Sequence, residues 1–206
     1  MLVTGIKSKP VYAPLQADVR GRYHLMLGMG VGAGPLLRVI EAMQTNAAPA
    51  LKHTRVLYIP EAANQGAATP LEQFRATSVG DLQSFADAPA LLDRFREILE
   101  QSLMGTRLYV AGPESFIGLA MKIALEFNLN KDEIRAEECG TSARRVYCIH
   151  CRATTENVRT NIVRCVDCER WLLVRDHYSR RLAAYMGVMA DAEAPGELPP
   201  VKEMFL

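Results

Sequence analysis

The chain has 206 residues, of which 49% are apolar, a formal net charge of +1 and five cysteines. This length and apolar content allow one medium domain plus a small module, or one larger domain. The near-neutral charge excludes a molecule that is basic all over and coats nucleic acid or a membrane, and an odd cysteine count in so long a chain argues against a secreted disulfide scaffold.

The first twenty-odd residues carry Lys7, Lys9, Pro10, Asp18 and two arginines and no apolar core, so no signal peptide is expected. No apolar run approaches the roughly 18 residues of a membrane span. The expectation is a soluble, cytoplasmic, reduced protein. Residues 1–22 lack periodicity and read as an arm. Tyr23–Leu27 (YHLML) reads as a buried strand. It leads into Gly28, Gly30, Gly32 and Gly34, then Pro35, which is favoured in a first helical turn. Leu36, Leu37, Val39, Ile40 and Met43 follow at helical spacing. Arg55–Ile59 is a second strand by its β-branched and aromatic content. Residues 60–70 are a Gly/Ala/Asn-rich loop, and 71–87 are ambiguous, with room for a helix and a short strand.

Pro89 opens a helix with Leu91, Leu92, Phe95, Ile98, Leu99 and Leu103 on one face, ended by Gly105. Arg107–Ala111 is a strand leading to Gly112-Pro113. Residues 114–127 form an amphipathic helix, and Ile134–Cys139 a last strand. Strands alternating with helices predict a parallel-sheet α/β domain. Residues 177–189 read as a helix with Leu182, Tyr185, Met186 and Met189 inward. The expected plan is an arm (1–22), a nucleotide-binding-like α/β domain (23–141), a zinc ribbon (142–176), and a C-terminal helix with a docking tail (177–206).

The cysteines follow C-x2-C-x13-C-x2-C, with Cys148, Cys151, Cys165 and Cys168. Two residues between cysteines let both sulfurs face one point, and two such knuckles make the four-thiolate site that zinc prefers. Rubredoxin-like iron uses the same ligands, but its knuckles usually place Pro or Gly where this chain has Ile149, His150, Val166 and Asp167. A redox dithiol needs only one such pair. Cys139 reads as a core cysteine, His150 as a bystander, and His24, His53 and His177 as structural or exposed.

A glycine turn between a strand and a helix lets backbone N–H groups face a phosphate. Gly28, Gly30 and Ala33 fit G-x-G-x-x-G/A, although the acidic partner expected about 20 residues on is represented only by the more distant Glu61. With Gly112, Pro113 and Glu114 after the later strand, these glycines are the candidate nucleotide site; no residue stands out as catalytic.

The turn GVGAGP and the later YVAGPE followed by Phe116 resemble the pyridine-nucleotide half of the ferredoxin–NADP reductase family. Ala111 stands where that family has a cysteine beside the nicotinamide, and only 22 residues precede Tyr23, without the flavin-site signature. No flavin is therefore expected in this chain. Across GMGVGAGPLL, YVAGPESF, the ECG…YCIHC…CVDC region and HYSRRLAAYMG…PGELP, the chain is similar to the small subunits of bacterial dimethylamine monooxygenases. That resemblance implies an assembly with a haem subunit and a flavin/iron–sulfur reductase subunit, using NADPH and O2 to demethylate a secondary amine. Residues 142–181 hold nine arginines and no lysine, against Glu156, Asp167, Glu169 and Asp176. A solvated face, a dock for an acidic partner and a nucleic-acid-binding ribbon all remain open from composition alone, as does a stand-alone NAD(P)-binding redox protein.

Overall fold

The computed structural model describes residues 8–61 and 69–206. The described residues divide into two compact units, Tyr12–Gly140 and Thr141–Leu206, the latter joined by residues 8–11. The first seven residues of the expected arm, and 62–68 of the expected loop, lie outside the described residues.

The first unit is an α/β domain. Its strands are β1 (Tyr23–Met29), β2 (Thr54–Ile59), β3 (Asp81–Ser84), β4 (Thr106–Gly112) and β5 (Ile134–Glu138). They form one parallel sheet in the order β3-β2-β1-β4-β5. The helices are α1 (Ala33–Asn46), α2 (Pro70–Arg75), α3 (Ala88–Glu100) and α4 (Glu114–Glu126). Both faces of the sheet are covered, which is why Leu25–Leu27 at the centre of β1 is apolar without alternation. Leu25 and Leu27 pack with Phe95 and Ile117, while Met26 faces Leu36, Ile40 and Met43. Asp87 caps α3 by accepting the Ala90 N–H at 2.9 Å, with Pro89 in the first turn. The helix stops at Glu100, earlier than its spacing predicts, and leaves Leu103 exposed rather than on the buried face.

From Tyr12 onward the expected arm is part of this unit. Leu15 is buried with Tyr109 and Ala111. Asp18 is buried and accepts from Arg20 Nε (2.9 Å), Arg107 Nε (3.1 Å) and Arg135 Nη2 (3.2 Å). The Asp18 N–H donates to the Tyr109 hydroxyl at 3.0 Å. That hydroxyl lies 3.3 Å from His24 Nδ1, and His24 Nε2 lies 3.2 Å from the Gly21 carbonyl. One tautomer satisfies the chain: tyrosine donates to Nδ1, and Nε2–H donates to the carbonyl. Burial pushes the His24 pKa down and favours that neutral ring.

The second unit is a five-stranded sheet in the order β7-β6-β10-β9-β8. Its strands are β6 (Arg144–Cys148), β7 (Thr154–Val158), β8 (Ile162–Arg164), β9 (Trp171–Ser179) and β10 (Ala184–Met189). The expected helix over 177–189 is absent: these residues form the end of β9, a turn, and β10. The expected boundary at 176–177 therefore falls inside β9. The spacing of Leu182, Tyr185, Met186 and Met189 fits a helix, but β10 gains ladders to both β6 and β9. Ala183, at φ 50°, turns the chain between them. Gly187 lets β10 lie close, because a Cβ there would come within 2.8 Å of Val146 Cγ1.

This sheet curls. Flat, β7 and β8 would be about 19 Å apart at about 4.8 Å per strand, yet only residues 159–161 join them, a reach of about 14 Å. The curl brings the Val166 N–H within 3.2 Å of Thr155 Oγ1. Val146, Val158, Leu172, Val174, Tyr178 and Tyr185 fill its inside, with Phe205 added from the tail. Arg159–Asn161 hold that tail: Met204 N–H and Phe205 N–H donate to the Arg159 carbonyl, and Lys202 N–H to Asn161 Oδ1. The last residues thus bind their own unit.

Candidate functional site

The four cysteines stand at one pole of the curled sheet. Cys148 ends β6, Cys165 follows β8, and turns at 149–151 and 166–168 bring back Cys151 and Cys168. Their sulfurs all lie within 4.8 Å of one another, with 3.7 Å between Cys148 and Cys168 and 3.4 Å between Cys151 and Cys165. Four thiolates about 2.3 Å from one ion sit about 3.8 Å apart at tetrahedral corners, so the cluster fits a tetrahedral metal ion. Cys148 and Cys165 are buried, whereas Cys151 and Cys168 are partly open.

Backbone N–H groups support the sulfurs. Those of His150 and Cys151 point at Cys148, that of Ala153 at Cys151, and that of Arg170 at Cys168. Burial pushes the Cys148 thiol up. The Arg170 amide, with help from its guanidinium, pulls the Cys168 thiol down to about 6 despite opposing desolvation. Arg170, two residues past the second knuckle, is a supporting residue that the CxxC pattern alone does not single out. His150 is exposed and lies outside the sulfur cluster.

The second candidate lies in the other unit, at the carboxyl-terminal edge of the parallel sheet. From β1 the chain steps to β2 and β3 on one side, then returns to place β4 and β5 on the other. The edge between β1 and β4 is therefore the topological switch point, where open α/β sheets form a ligand crevice. Gly28 pairs with Ala111 there, which brings both glycine motifs together. The glycines do different work. Gly28 belongs to β1, and a Cβ on it would press on Leu36 and Tyr58. Gly30 adopts φ +57°, and a Cβ would meet the Glu61 carboxyl carbon at 2.9 Å. Gly32 is packed on β4, where a Cβ would lie 2.6 Å from the Ala111 carbonyl carbon. Gly34 alone of the four faces open space.

Gly32 N-caps α1 without a side chain, and the first turn of that helix holds no acidic residue. The Ala33 N–H already donates to the Gly30 and Val31 carbonyls and Pro35 has no N–H, so it is chiefly the positive partial charge of the helix end that faces an anion. Pro113 caps α4, and Glu114 is buried in its first turn. Tyr58 at the end of β2 donates to the Gly30 carbonyl at 2.7 Å. Burial pushes its phenol up to about 12, so it remains a donor. Sequence periodicity marked Tyr58 only as a strand residue. Cys139 is half-buried beside this edge, and its N–H donates to the Gly112 carbonyl at 2.9 Å. Burial, then Glu137 and Glu138, push its thiol up, so it stays protonated.

A separate cavity of about 360 Å³ opens at the opposite, amino-terminal edge of the sheet, lined by Tyr23, His53, Thr54, Asp81 and Thr106 among others. None of the site residues predicted from sequence lines it. No described helix is long and apolar enough to cross a membrane.

Two family models match the chain. The N-terminal domain of dimethylamine monooxygenase subunit DmmA-like proteins matches residues 4–134, and their C-terminal domain matches residues 145–188. The chain is 34% identical over 115 residues to the heme-dependent oxidative N-demethylase delta subunit of Ectopseudomonas mendocina (strain ymp). That alignment covers 56% of this chain and 64% of the relative. Solved structures similar to the chain include a ferredoxin reductase in carbazole 1,9a-dioxygenase, at 16% identity and TM-score 0.42, covering 62% of this chain and 34% of that one. An intact type IV self-sufficient cytochrome P450 monooxygenase is similar at 13% identity and TM-score 0.43, covering 87% of this chain and 22% of that one.

Proposed function

This chain belongs to the dimethylamine monooxygenase subunit DmmA-like family, and from that membership we propose that it is the nucleotide-binding and assembly subunit of an NADPH- and O2-dependent, haem-containing secondary-amine monooxygenase. Its substrate in this reading is dimethylamine. Its partners are a haem-bearing catalytic subunit and a flavin/iron–sulfur reductase subunit. The name of the relative, a subunit of a heme-dependent oxidative N-demethylase, supports a haem partner. Redox chemistry is supplied by the partners' cofactors.

The observation that carries the nucleotide half of the reading is the switch-point edge. There an uncapped α1 and the exposed Gly34 stand next to Gly112 and Pro113. In this reading the N-terminus of α1 faces the pyrophosphate, and Gly34 permits its close approach. Gly28, Gly30 and Gly32 shape the turn behind it. In this reading the hydride acceptor would be the flavin of the reductase partner, so this subunit binds and orients NADPH without oxidising it alone. The four cysteines hold zinc, which ties two knuckles into one rigid pole and adds folding free energy.

Replacing Gly34 with Leu tests the reading, because its side-chain position is open. Titration calorimetry should show NADPH affinity reduced at least tenfold, with a melting temperature no lower than that of the wild type. NADPH affinity equal to wild type would make this edge an assembly scaffold and remove the nucleotide role.

A further inference from the structure

The second unit is electrically polarised, and its pole opposite the cysteines is unclaimed by the metal or the nucleotide edge. The strand directions set this up. Cys148, Cys165 and Trp171 lie at the metal end of β6, β8 and β9. At the same end Asp167, Glu169, Asp191, Glu193 and Glu197 outnumber Arg152, Arg164 and Arg170, and a four-thiolate zinc site adds −2. The far end collects the opposite charge. Arg144 and Arg145 begin β6, Arg159 follows β7, and Arg180 and Arg181 form the turn from β9 to β10. Lys202 is tied there through Asn161.

Ion pairs sort these cations. Arg144 pairs with Asp176 at 2.7 Å, and Arg145 with Glu156 at 2.9 Å. Arg144 is also held between the Tyr185 and Phe205 rings, 3.9 and 3.8 Å from their centroids. These two arginines are structural. Arg159, Arg180, Arg181 and Lys202 are exposed and have no ion pair among the described residues. Glu203, bridged to Thr160, is the carboxylate beside them. Four open cations against one carboxylate leave a net positive face. The nine residues of β9 separate the poles by about 30 Å, several times the roughly 8 Å screening length at physiological salt. Each pole therefore meets a partner on its own terms.

We propose that this arginine pole is a docking surface for a carboxylate-rich face of a partner protein. A protein fits better than a nucleic acid for two reasons. Four exposed cations give few phosphate contacts, and no exposed aromatic among them offers a stacking platform. Guanidinium groups pair with carboxylates in fixed bidentate geometry, which sets orientation as well as attraction. The proposal deepens the assembly role above and rests on it for the partner's identity, but not for the chemistry of the surface.

The test uses the full zinc-loaded chain and the variant Arg180→Glu/Arg181→Glu. A 12-residue polyglutamate peptide should shift backbone amide resonances at 159–161 and 179–183. Its affinity should fall at least tenfold between 50 and 300 mM NaCl, and binding should disappear in the variant. Equal zinc content and Trp171 emission report that the variant is folded; if it loses zinc, Arg159→Glu serves instead. Shifts confined to other residues, or binding unchanged by charge reversal, overturn the proposal. So does a 20-base-pair DNA duplex that binds the same residues more tightly than the peptide at equal salt. Coexpression with a haem subunit gives the second arm: wild type assembles, and the charge-reversed chain assembles at least tenfold more weakly. Equal assembly of both overturns the surface. Failure of wild type to assemble while the peptide arm holds overturns the assembly reading and leaves the surface standing.

Discussion

Gly32 and Gly34 look interchangeable in the sequence and should behave oppositely when changed to alanine. At Gly32 the added methyl would lie 2.6 Å from the carbonyl carbon of Ala111 and 3.1 Å from the amide nitrogen of Gly112. These are backbone atoms of β4, which is paired to β1 on one side and β5 on the other, so they cannot swing away. Relief requires α1 to lift from the sheet and loosen Leu36 and Ile40, which are buried beneath it. Overpacking costs typically 1–3 kcal/mol, and an unyielding backbone puts Gly32→Ala near the top of that range, about 3 kcal/mol. For a protein of this size that lowers the melting temperature by about 10 °C. Gly34→Ala meets no atom within 4 Å and removes a flexible residue from a helix. It should stabilise by about 0.5 kcal/mol. Thermal unfolding followed by helical circular dichroism reads this unit alone, since α1 to α4 all belong to it. Equal melting temperatures for Gly32→Ala and wild type would refute the close packing of the turn on β4. It follows that replacing Gly32 tests the fold, and that only Gly34 tests the nucleotide.

Two further outcomes are expected. Removing the metal with a strong chelator, or changing Cys165 to Ser, should shift the emission of Trp171, the single tryptophan, while helical circular dichroism persists; the released ion should be colourless zinc by elemental analysis, and unchanged emission after full metal loss would contradict a metal-dependent ribbon. Asp18→Asn leaves Arg107 and Arg135 facing a neutral group and should cost about 3 kcal/mol in chemical denaturation. The wild-type contribution has a pH signature. Arg20 first, then Arg107, hold the Asp18 carboxyl well below its usual range. Its stabilisation is thus complete at neutral pH and lost as pH falls through the unfolded value of about 3.9 toward the native one. Asp18→Asn should flatten that part of the stability curve, and equal acid sensitivity of the two proteins would remove the network from the account.

Local signals carried much of this protein into its sequence. The paired CxxC knuckles encode the four-sulfur cluster because a tight turn is enough to aim two sulfurs at one point. The alternation of buried apolar runs with helical spacings encodes the parallel α/β unit, because strands covered on both faces have no polar side to show. Long-range pairing decided the rest. Residues 177–189 satisfy a helical spacing and a strand alternation together, and only the ladders to β6 and β9 choose between them. Asp18 reads as a loop acid until Arg107 and Arg135 arrive from two other strands. The four glycines form one string in the sequence, but neighbours distant in the chain divide them: β4 behind Gly32, Glu61 over Gly30, and open solvent at Gly34. The nine arginines form one basic stretch by composition. Folding pairs Arg144 and Arg145 with Asp176 and Glu156 and leaves Arg159, Arg180 and Arg181 open at the pole away from the cysteines, because strand direction, not order along the chain, decides which ends meet.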